Sequence, residues 1–258
     1  MNLNNFFFVV DVGNTEIVIS LIKDFKIFKT KRLKTNFLKK ENIFSAFNIK
    51  SILRKRNVIR CIISSVVPKI NSLLKKQCFI KLKCNPHFVS YNKTKLNIKI
   101  NLKNKNQVGA DRIVNTVAVK KIYKYPAVVI DFGTATTFDV INNSGDYEGG
   151  LITPGINLSL KDLYEKTSKL PLVKFKKTTR LIGKNTKQAI ENGIYFGYLG
   201  LTTFIIKELQ KRFKKKLFCI STGGLSHIIS KNIKEINVIN KNLTILGLIE
   251  IYKLNYNE

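Results

Sequence analysis

Tryptophan is missing from this 258-residue chain, and the single methionine is its first residue. The two histidines, His87 and His227, stand alone, and none of the four cysteines (Cys61, Cys78, Cys84, Cys219) belongs to a Cys-x-x-Cys pair. Zinc-ligand spacing and a disulfide framework are thereby excluded, and buried, reduced thiols are the expectation. Long apolar runs are missing too. No stretch reaches the roughly 18 residues of a membrane span. The apolar-looking run from Gly193 to Ile206 is short and flanked by Lys187, Glu191 and Lys207. The first apolar run has no basic region ahead of it and ends at Asp11, unlike a signal peptide, so a cytoplasmic protein without membrane attachment is expected.

Acidic residues are scarce beside their opposites: 16 Asp and Glu face 46 Lys and Arg, a formal charge of +30. Such an excess normally suggests a nucleic-acid partner. Only seven of the 46 are arginine, however, and the lysines are scattered, with short local runs such as Lys214 to Lys216. The forked donors favoured in base readout are therefore few. Lysine, asparagine, isoleucine and phenylalanine share A/T-rich codons, which accounts for the bias without nucleic acid. A generally basic surface is the expectation.

Against these absences, one pattern occurs twice. AVVIDFGTATTFDVI (Ala127 to Ile141) runs from a buried strand through Asp131 and a Phe132-Gly133 turn into a second strand. FFFVVDVGNTEIVISLI (Phe6 to Ile22) does the same with Asp11, Gly13 and Thr15, and the two aspartates are 120 positions apart. Recurrence at domain-sized spacing reads as a duplicated α/β fold. A carboxylate at a strand end can hold a cation directly or through water, and the glycine lets a phosphate approach the backbone N–H groups. Thr15, Thr134 and Thr136 add hydroxyls. Ordinary hairpins also use Asp and Gly; it is the second copy that favours phosphate.

Along the chain, the first hairpin leads into a polar, lysine-rich connection to about Asn57. Val58 to Pro68 reads as a buried strand followed by a short helix near Lys69 to Gln77. Phe79 to Ile100 alternates and predicts one or two strands, and Asn101 to Val108 predicts a loop. A helix is expected from Asp111 towards Pro126, with a domain boundary near 115–125, dividing the chain into 1–118 and 119–258. Gly145 to Asn157 reads as a glycine-rich loop. Thr186 to Phe213 has helical spacing, with Gly193 and Gly197 expected to admit a neighbouring backbone. Leu217 to Ile220 predicts a short strand before Thr222-Gly223-Gly224, and Leu243 to Tyr252 a closing helix.

Three further clusters bear polar chemistry. In Gly109-Ala110-Asp111-Arg112 an aspartate at a helix mouth can take a proton from a hydroxyl while the arginine binds a carboxylate or phosphate. Spacing alone favours the plainer reading of Asp111 as an N-cap. Asn185 and Thr186 can likewise cap the long helix. Gly183-Lys184-Asn185-Thr186 is not a P-loop, because Thr178 occupies the place of its first glycine and no strand precedes it. Thr222-Gly223-Gly224 suits a nucleotide on a strand-helix turn, as do generic glycines there.

Taken together the motifs resemble the type III pantothenate kinase family of the actin and sugar-kinase superfamily. The matching pieces are DVGNT (11–15), SSVVP (64–68), GADR (109–112), DFGTATTFD (131–139), GGLITPGINLS (149–159), KLP (169–171), GKNT (183–186), TGG (222–224) and LTILGL (243–248). They run nearly end to end in the family's order. The resemblance implies an α/β fold of two ribonuclease-H-like domains with the active site in the cleft between them, and phosphorylation of pantothenate by ATP as the first committed step towards coenzyme A. It further implies ATP contacts from Asp11, Val12, Gly13, Asn14, Thr15, Glu16, Ile17, Val18 and Thr134. Asp111 corresponds to the proton acceptor, and Gly109, Ala110, Asp111, Arg112 and Thr186 to pantothenate contacts. Asp131 corresponds to the ligand of a monovalent cation, potassium or ammonium, with magnesium accompanying ATP. A homodimer is also implied. One departure stands out: where the family carries Tyr-x-Asn-Pro, this chain reads Leu102-Lys103-Asn104-Lys105, which removes an aromatic pantothenate contact and a proline. Two rivals remain at this stage, a non-catalytic transcriptional accessory protein on the same fold and a kinase of another small hydroxyl compound.

Overall fold

Apolar runs rich in β-branched and aromatic residues form the centre of each of two sheets. The structure, a computed structural model, describes residues 6–39, 42–47, 49–50 and 59–256. In the first sheet, β1 (Phe6–Val12) pairs antiparallel with β2 (Glu16–Lys23), and β2 with β3 (Lys26–Lys34). On its other side β1 runs parallel to β4 (Cys61–Ser65), which runs parallel to β5 (His87–Phe88). The second sheet repeats the plan with β6 (Ala127–Phe132), β7 (Ala135–Ile141), β8 (Tyr147–Pro154), β9 (Phe218–Thr222) and β10 (Val238–Ile239). Its strand order, β10-β9-β6-β7-β8, is the first sheet's β3-β2-β1-β4-β5 read from the other edge. The duplication expected from the two Asp-x-Gly hairpins is thus one of topology.

The sheets are accompanied by helices α1 (Asn71–Leu82), α2 (Ala110–Ile122), α3 (Ile156–Glu165), α4 (Thr186–Phe213), the single turn α5 (Ser226–Ile229) and α6 (Leu243–Tyr256). The chain forms two compact units. One comprises Met1–Ile98, Lys103–Lys121 and Leu243–Glu258, the other Lys99–Leu102 and Ile122–Asn242. A single cut at 118/119 therefore differs from the units, because α6 belongs to the first.

Alternating side chains explain why α6 returns there. On β1, Phe8, Val10 and Val12 join one core cluster with β2, β4 and α1, leaving Phe7, Val9 and Asp11 to the opposite face. There Phe7 stacks on Tyr252 of α6 with ring centroids 3.6 Å apart. The Tyr256 hydroxyl and His87 Nδ1 share a 2.9 Å hydrogen bond, and Asn255 brackets the Lys95 backbone, accepting from its N–H and donating to its carbonyl. Helix α2 lies against α6 at Gly247, where any Cβ would collide with the Val114 carbonyl. The Thr244 hydroxyl donates to Asn115 Oδ1 at 3.0 Å beside that contact.

Several expectations need correction. The lysine-rich connection begins with β3, whose burial alternates only weakly; its lysines line a sheet edge, where charge discourages pairing with another chain. The rest of that connection falls partly outside the described residues, as does Val58. Phe79 to Leu82 continues α1, so Phe79 to Ile100 yields only the two-residue β5 and an isolated bridge from Ile100 to Tyr147. Gly145 to Asn157 is mostly strand β8, an edge strand that tolerates Gly149 and Gly150, followed by the start of α3. Gly193 and Gly197 face open space rather than a backbone. Helix α4 spans the expected residues. All four cysteines are buried and free, and burial pushes the Cys84 and Cys219 thiols up to about 12, so they stay protonated.

Removing the Phe7 ring tests the docking of α6. Phe7→Ala should cost about 3–5 kcal/mol in denaturant unfolding, the range for a buried aromatic. Phe79→Ala, at an exposed ring on α1, should stay within about 0.5 kcal/mol of wild type. Equal losses would mean that the Phe7–Tyr252 stack does not hold the helix.

Candidate active site

Asp11 is the penultimate residue of β1. One register row crosses the sheet through Arg32 on β3, Val18 on β2, Asp11 and Ser64 on β4. Side chains in such a row share a face, and here it is the face that carries α2 and α6. Burial raises the Asp11 carboxyl from an ordinary 3.8 to about 7, and the neighbouring Asp111 charge adds to the rise. Ser64 and the Arg32 guanidinium pull it down, while Glu16 pushes it up. The fully buried Ser64 Oγ lies near enough to act on Asp11, yet reaches hydrogen-bond geometry with no partner among the described residues.

Asp111 lies in the first turn of α2. The Gly109 carbonyl accepts from the amides of Arg112 (3.1 Å) and Ile113 (3.2 Å), so the N-cap position falls to Gly109 rather than Asp111. An acidic residue one step further in suits the positive end of the helix. Asp111 Oδ1 accepts from the Arg112 amide at 2.8 Å. Burial raises the Asp111 carboxyl, and the Arg112 amide and guanidinium restrain that rise. Two carboxylates from different elements therefore meet at the end of β1.

The turn between β1 and β2 closes with the Gly13 amide donating to the Glu16 carbonyl at 2.9 Å. Asn14, Thr15 and Glu16 are exposed, whereas Val12, Ile17 and Val18 are core residues. Of the stretch expected to bind phosphate, the tip alone presents side chains outward. Glu16 Oε2 accepts from Arg32 Nη1 at 2.6 Å on the exposed side.

The second unit repeats the layout with different detail. Asp131 pairs with Thr137 on β7 and with Thr222 on β9, as Asp11 does with Val18 and Ser64. The turn is one residue shorter, with the Gly133 amide donating to the Ala135 carbonyl at 3.1 Å. Gly223, at φ +90°, lies against Asp131 Oδ1 and the Phe132 backbone so closely that no side chain fits. Gly155 abuts the Thr134 carbonyl in the same way. The Gly133-Thr134 turn is thus clamped from two sides. The sequence shows both glycines inside motifs but not what they touch.

Asn185 is the N-cap of α4, its Oδ1 accepting from the Gln188 amide at 2.9 Å, and Gln188 Oε1 accepts from the Lys184 amide at 2.9 Å. Thr186 is the first helical residue, is exposed, and takes no part in that cap. Lys105 opens a short 3₁₀ turn, Lys105–Gln107, and holds its ammonium 5.4 Å from the Tyr91 ring centroid. A cavity of about 330 Å³ in the second unit, lined by Val140, Glu148, Leu151, Leu209, Arg212 and Phe213, contains none of these residues. Among the described residues no three His, Cys, Asp or Glu side chains gather as a metal cluster, and no helix is long and apolar enough to cross a membrane.

Paired Asp-x-Gly hairpins, each beside a parallel strand ending in a hydroxyl residue, define a duplicated α/β fold. Solved structures agree on the fold. A Baf family transcriptional activator from Campylobacter jejuni superposes with a TM-score of 0.61 at 24% identity, over 98% of this chain and 100% of that one. The activator of 2-hydroxyisocaproyl-CoA dehydratase from Clostridium difficile, with bound ADPNP, gives 0.52 at 12% identity over 97% and 94%. A family model for type III pantothenate kinase matches residues 7–208. A type III pantothenate kinase from Bacillus cytotoxicus is 38% identical over 254 residues, covering 96% of each chain. The chain belongs to the type III pantothenate kinase family.

The raised carboxyl at Asp11 has a measurable consequence. Because its folded value lies above the unfolded 3.8, its stabilising contribution is complete below that pH and is lost as pH rises through about 7. The melting temperature of the unliganded protein should therefore fall between pH 5 and pH 8. Asp11→Asn should flatten the fall, melting above wild type by a clearly larger margin at pH 8 than at pH 5. An unchanged slope in the variant would show that Asp11 is not the group responsible.

Proposed function

We propose that the chain transfers the γ-phosphoryl group of ATP to the primary hydroxyl of pantothenate, forming 4'-phosphopantothenate on the way to coenzyme A. The observation that carries this reading is the meeting of Asp11 and Asp111 at the end of β1, in a chain of this family. Asp111 accepts the hydroxyl proton. Burial makes it a stronger base than a free carboxylate, and its place one residue inside the helix leaves capping to Gly109. The turn from Asp11 to Val18 receives the ATP phosphates through its backbone and its exposed tip, with Thr134 as a second contact. Gly109, Ala110 and Arg112 hold pantothenate, the guanidinium pairing with its carboxylate, and Thr186 adds a hydroxyl.

Burial, and after it the Asp111 charge, raises the Asp11 carboxyl to about 7, a cost of ionisation that a nearby divalent cation would relieve. Asp11, at the foot of the phosphate-binding turn, is the carboxylate placed to hold magnesium accompanying ATP, which would supply charge neutralisation as the phosphoryl group moves. Asp131, whose Oδ1 lies against Gly223 beside the Phe132 backbone, offers oxygen donors that would suit a monovalent cation such as potassium. A homodimer fits one surface of α4. Ala189, Gly193, Gly197, Gly200 and Phe204 recur at helical spacing and are exposed, with nothing within 4 Å of a Cβ placed on any of the three glycines. A second copy packing there would bury a seam that a monomer leaves in water. Gly197→Arg should then shift the mass measured by light scattering from dimer to monomer, and an unchanged mass would move the interface elsewhere.

The reading is tested by pantothenate-dependent ADP release, in potassium and in sodium salts. Turnover should require pantothenate and should fall markedly in sodium; equal rates in the two salts would remove the cation role of Asp131. Asp111→Asn should keep near-normal melting and MgATP affinity while turnover drops by about 10²–10⁴, the usual worth of a positioned base. Turnover within about threefold of wild type, well short of that range, would assign the proton to another acceptor.

A further inference from the structure

Thr35 follows directly on β3 and makes two hydrogen bonds to the turn between β1 and β2. Its hydroxyl donates to the Gly13 carbonyl at 2.7 Å, and its backbone amide donates to the Thr15 carbonyl at 3.0 Å. In a trans peptide the C=O and the following N–H lie in one plane and point in opposite directions. Fixing the Gly13 carbonyl on Thr35 therefore aims the Asn14 amide away from it. Fixing the Thr15 carbonyl does the same for the Glu16 amide. A third bond, from the Gly13 amide to the Glu16 carbonyl at 2.9 Å, ties the two ends of the turn together. The base of the turn is thus held at three points, while Asn14, Thr15 and Glu16 face solvent.

We propose that Thr35 is a positioning residue for nucleotide phosphate, holding two peptide planes of the first turn so that their amides are aimed before the nucleotide arrives. This deepens the kinase reading and rests on it. Thr35 need not touch the nucleotide. Its effect is preorganisation: donors that are already oriented lose less freedom when an anion binds. The hydroxyl is the informative part, because a side-chain change removes the bond to Gly13 and leaves the backbone bond to Thr15 in place. Glu16 and Arg32 cannot substitute, since their 2.6 Å ion pair lies between side chains and fixes no peptide plane.

The variants are Thr35→Val, which keeps the branched shape and loses the hydroxyl, and Thr35→Ser, which keeps the hydroxyl. Both are compared with wild type in calorimetric titration with MgATP and in pantothenate-dependent ADP release. Thr35→Val should raise Kd and KM for MgATP about three- to tenfold, the usual range for one hydrogen bond. The KM for pantothenate should stay within twofold, and Thr35→Ser should restore nucleotide affinity to within about twofold of wild type, less than the loss of that bond. A merely structural role would lower melting and active fraction in both variants without separating the two KM values. The proposal is overturned if Thr35→Val binds MgATP as wild type does, if both KM values rise together, or if Thr35→Ser fails to rescue. A wild type that binds MgATP and ignores pantothenate sinks the kinase reading, and the Kd comparison still decides Thr35. A wild type that binds no MgATP overturns both.

Discussion

The close approach of α2 to α6 governs the catalytic corner. Asp111 has its place because α2 is pressed against α6 at Gly247, where the Val114 carbonyl leaves no room for a side chain. Helix α6 in turn is fastened to β1 by the Phe7–Tyr252 stack and to β5 by the Tyr256–His87 hydrogen bond. The strand that carries Asp11 therefore also fixes, through α6, the helix that carries Asp111. Asp11, and the Asp111 charge that disfavours its ionisation, are held together by apolar packing on the same strand a few residues earlier. Burial supplies the force that opposes their electrostatics.

Duplication has produced two turns with the same skeleton and different stiffening. Both aspartates stand beside a hydroxyl residue at the end of a parallel strand, Ser64 in one unit and Thr222 in the other. The first turn is stiffened by hydrogen bonds from Thr35, a residue of the neighbouring edge. The second is stiffened by steric contact with Gly155 and Gly223, which fill the space that side chains would need. Hydrogen bonds leave the first turn's tip open to solvent, whereas glycines let two other segments lie directly on the second.

Much of this was legible from sequence because the governing signals are local. The runs into Asp11 and Asp131 are apolar enough to be central strands, and Asn185 and the periodic positions of Thr186 to Phe213 mark helix α4 at both ends. What escaped was what depends on neighbours. β3 is so rich in lysine that only its pairing with β2 makes it a strand. Phe79 and Ile80 look like strand residues, yet they sit exposed on α1. Arg32, Thr35 and Ser64 enter the site by register across the sheet, a relation no linear spacing displays. Asp111 was rightly placed at a helix mouth, but its position relative to the cap is decided by which carbonyl the Ile113 amide finds.

The return of α6 to the first unit also sets an order of events during synthesis. The ribosome makes β1 to α2 first, then all of the second unit, and only afterwards the helix that Phe7 and Val114 await. Until then the apolar face of β1 that α6 will cover lacks its partner, and α2 has nothing to press against. A nascent or C-terminally truncated chain can possess every motif residue up to Gly224 and still leave its two carboxylates unassembled. Competence arrives with α6, the part of the first unit that is made after the whole of the second.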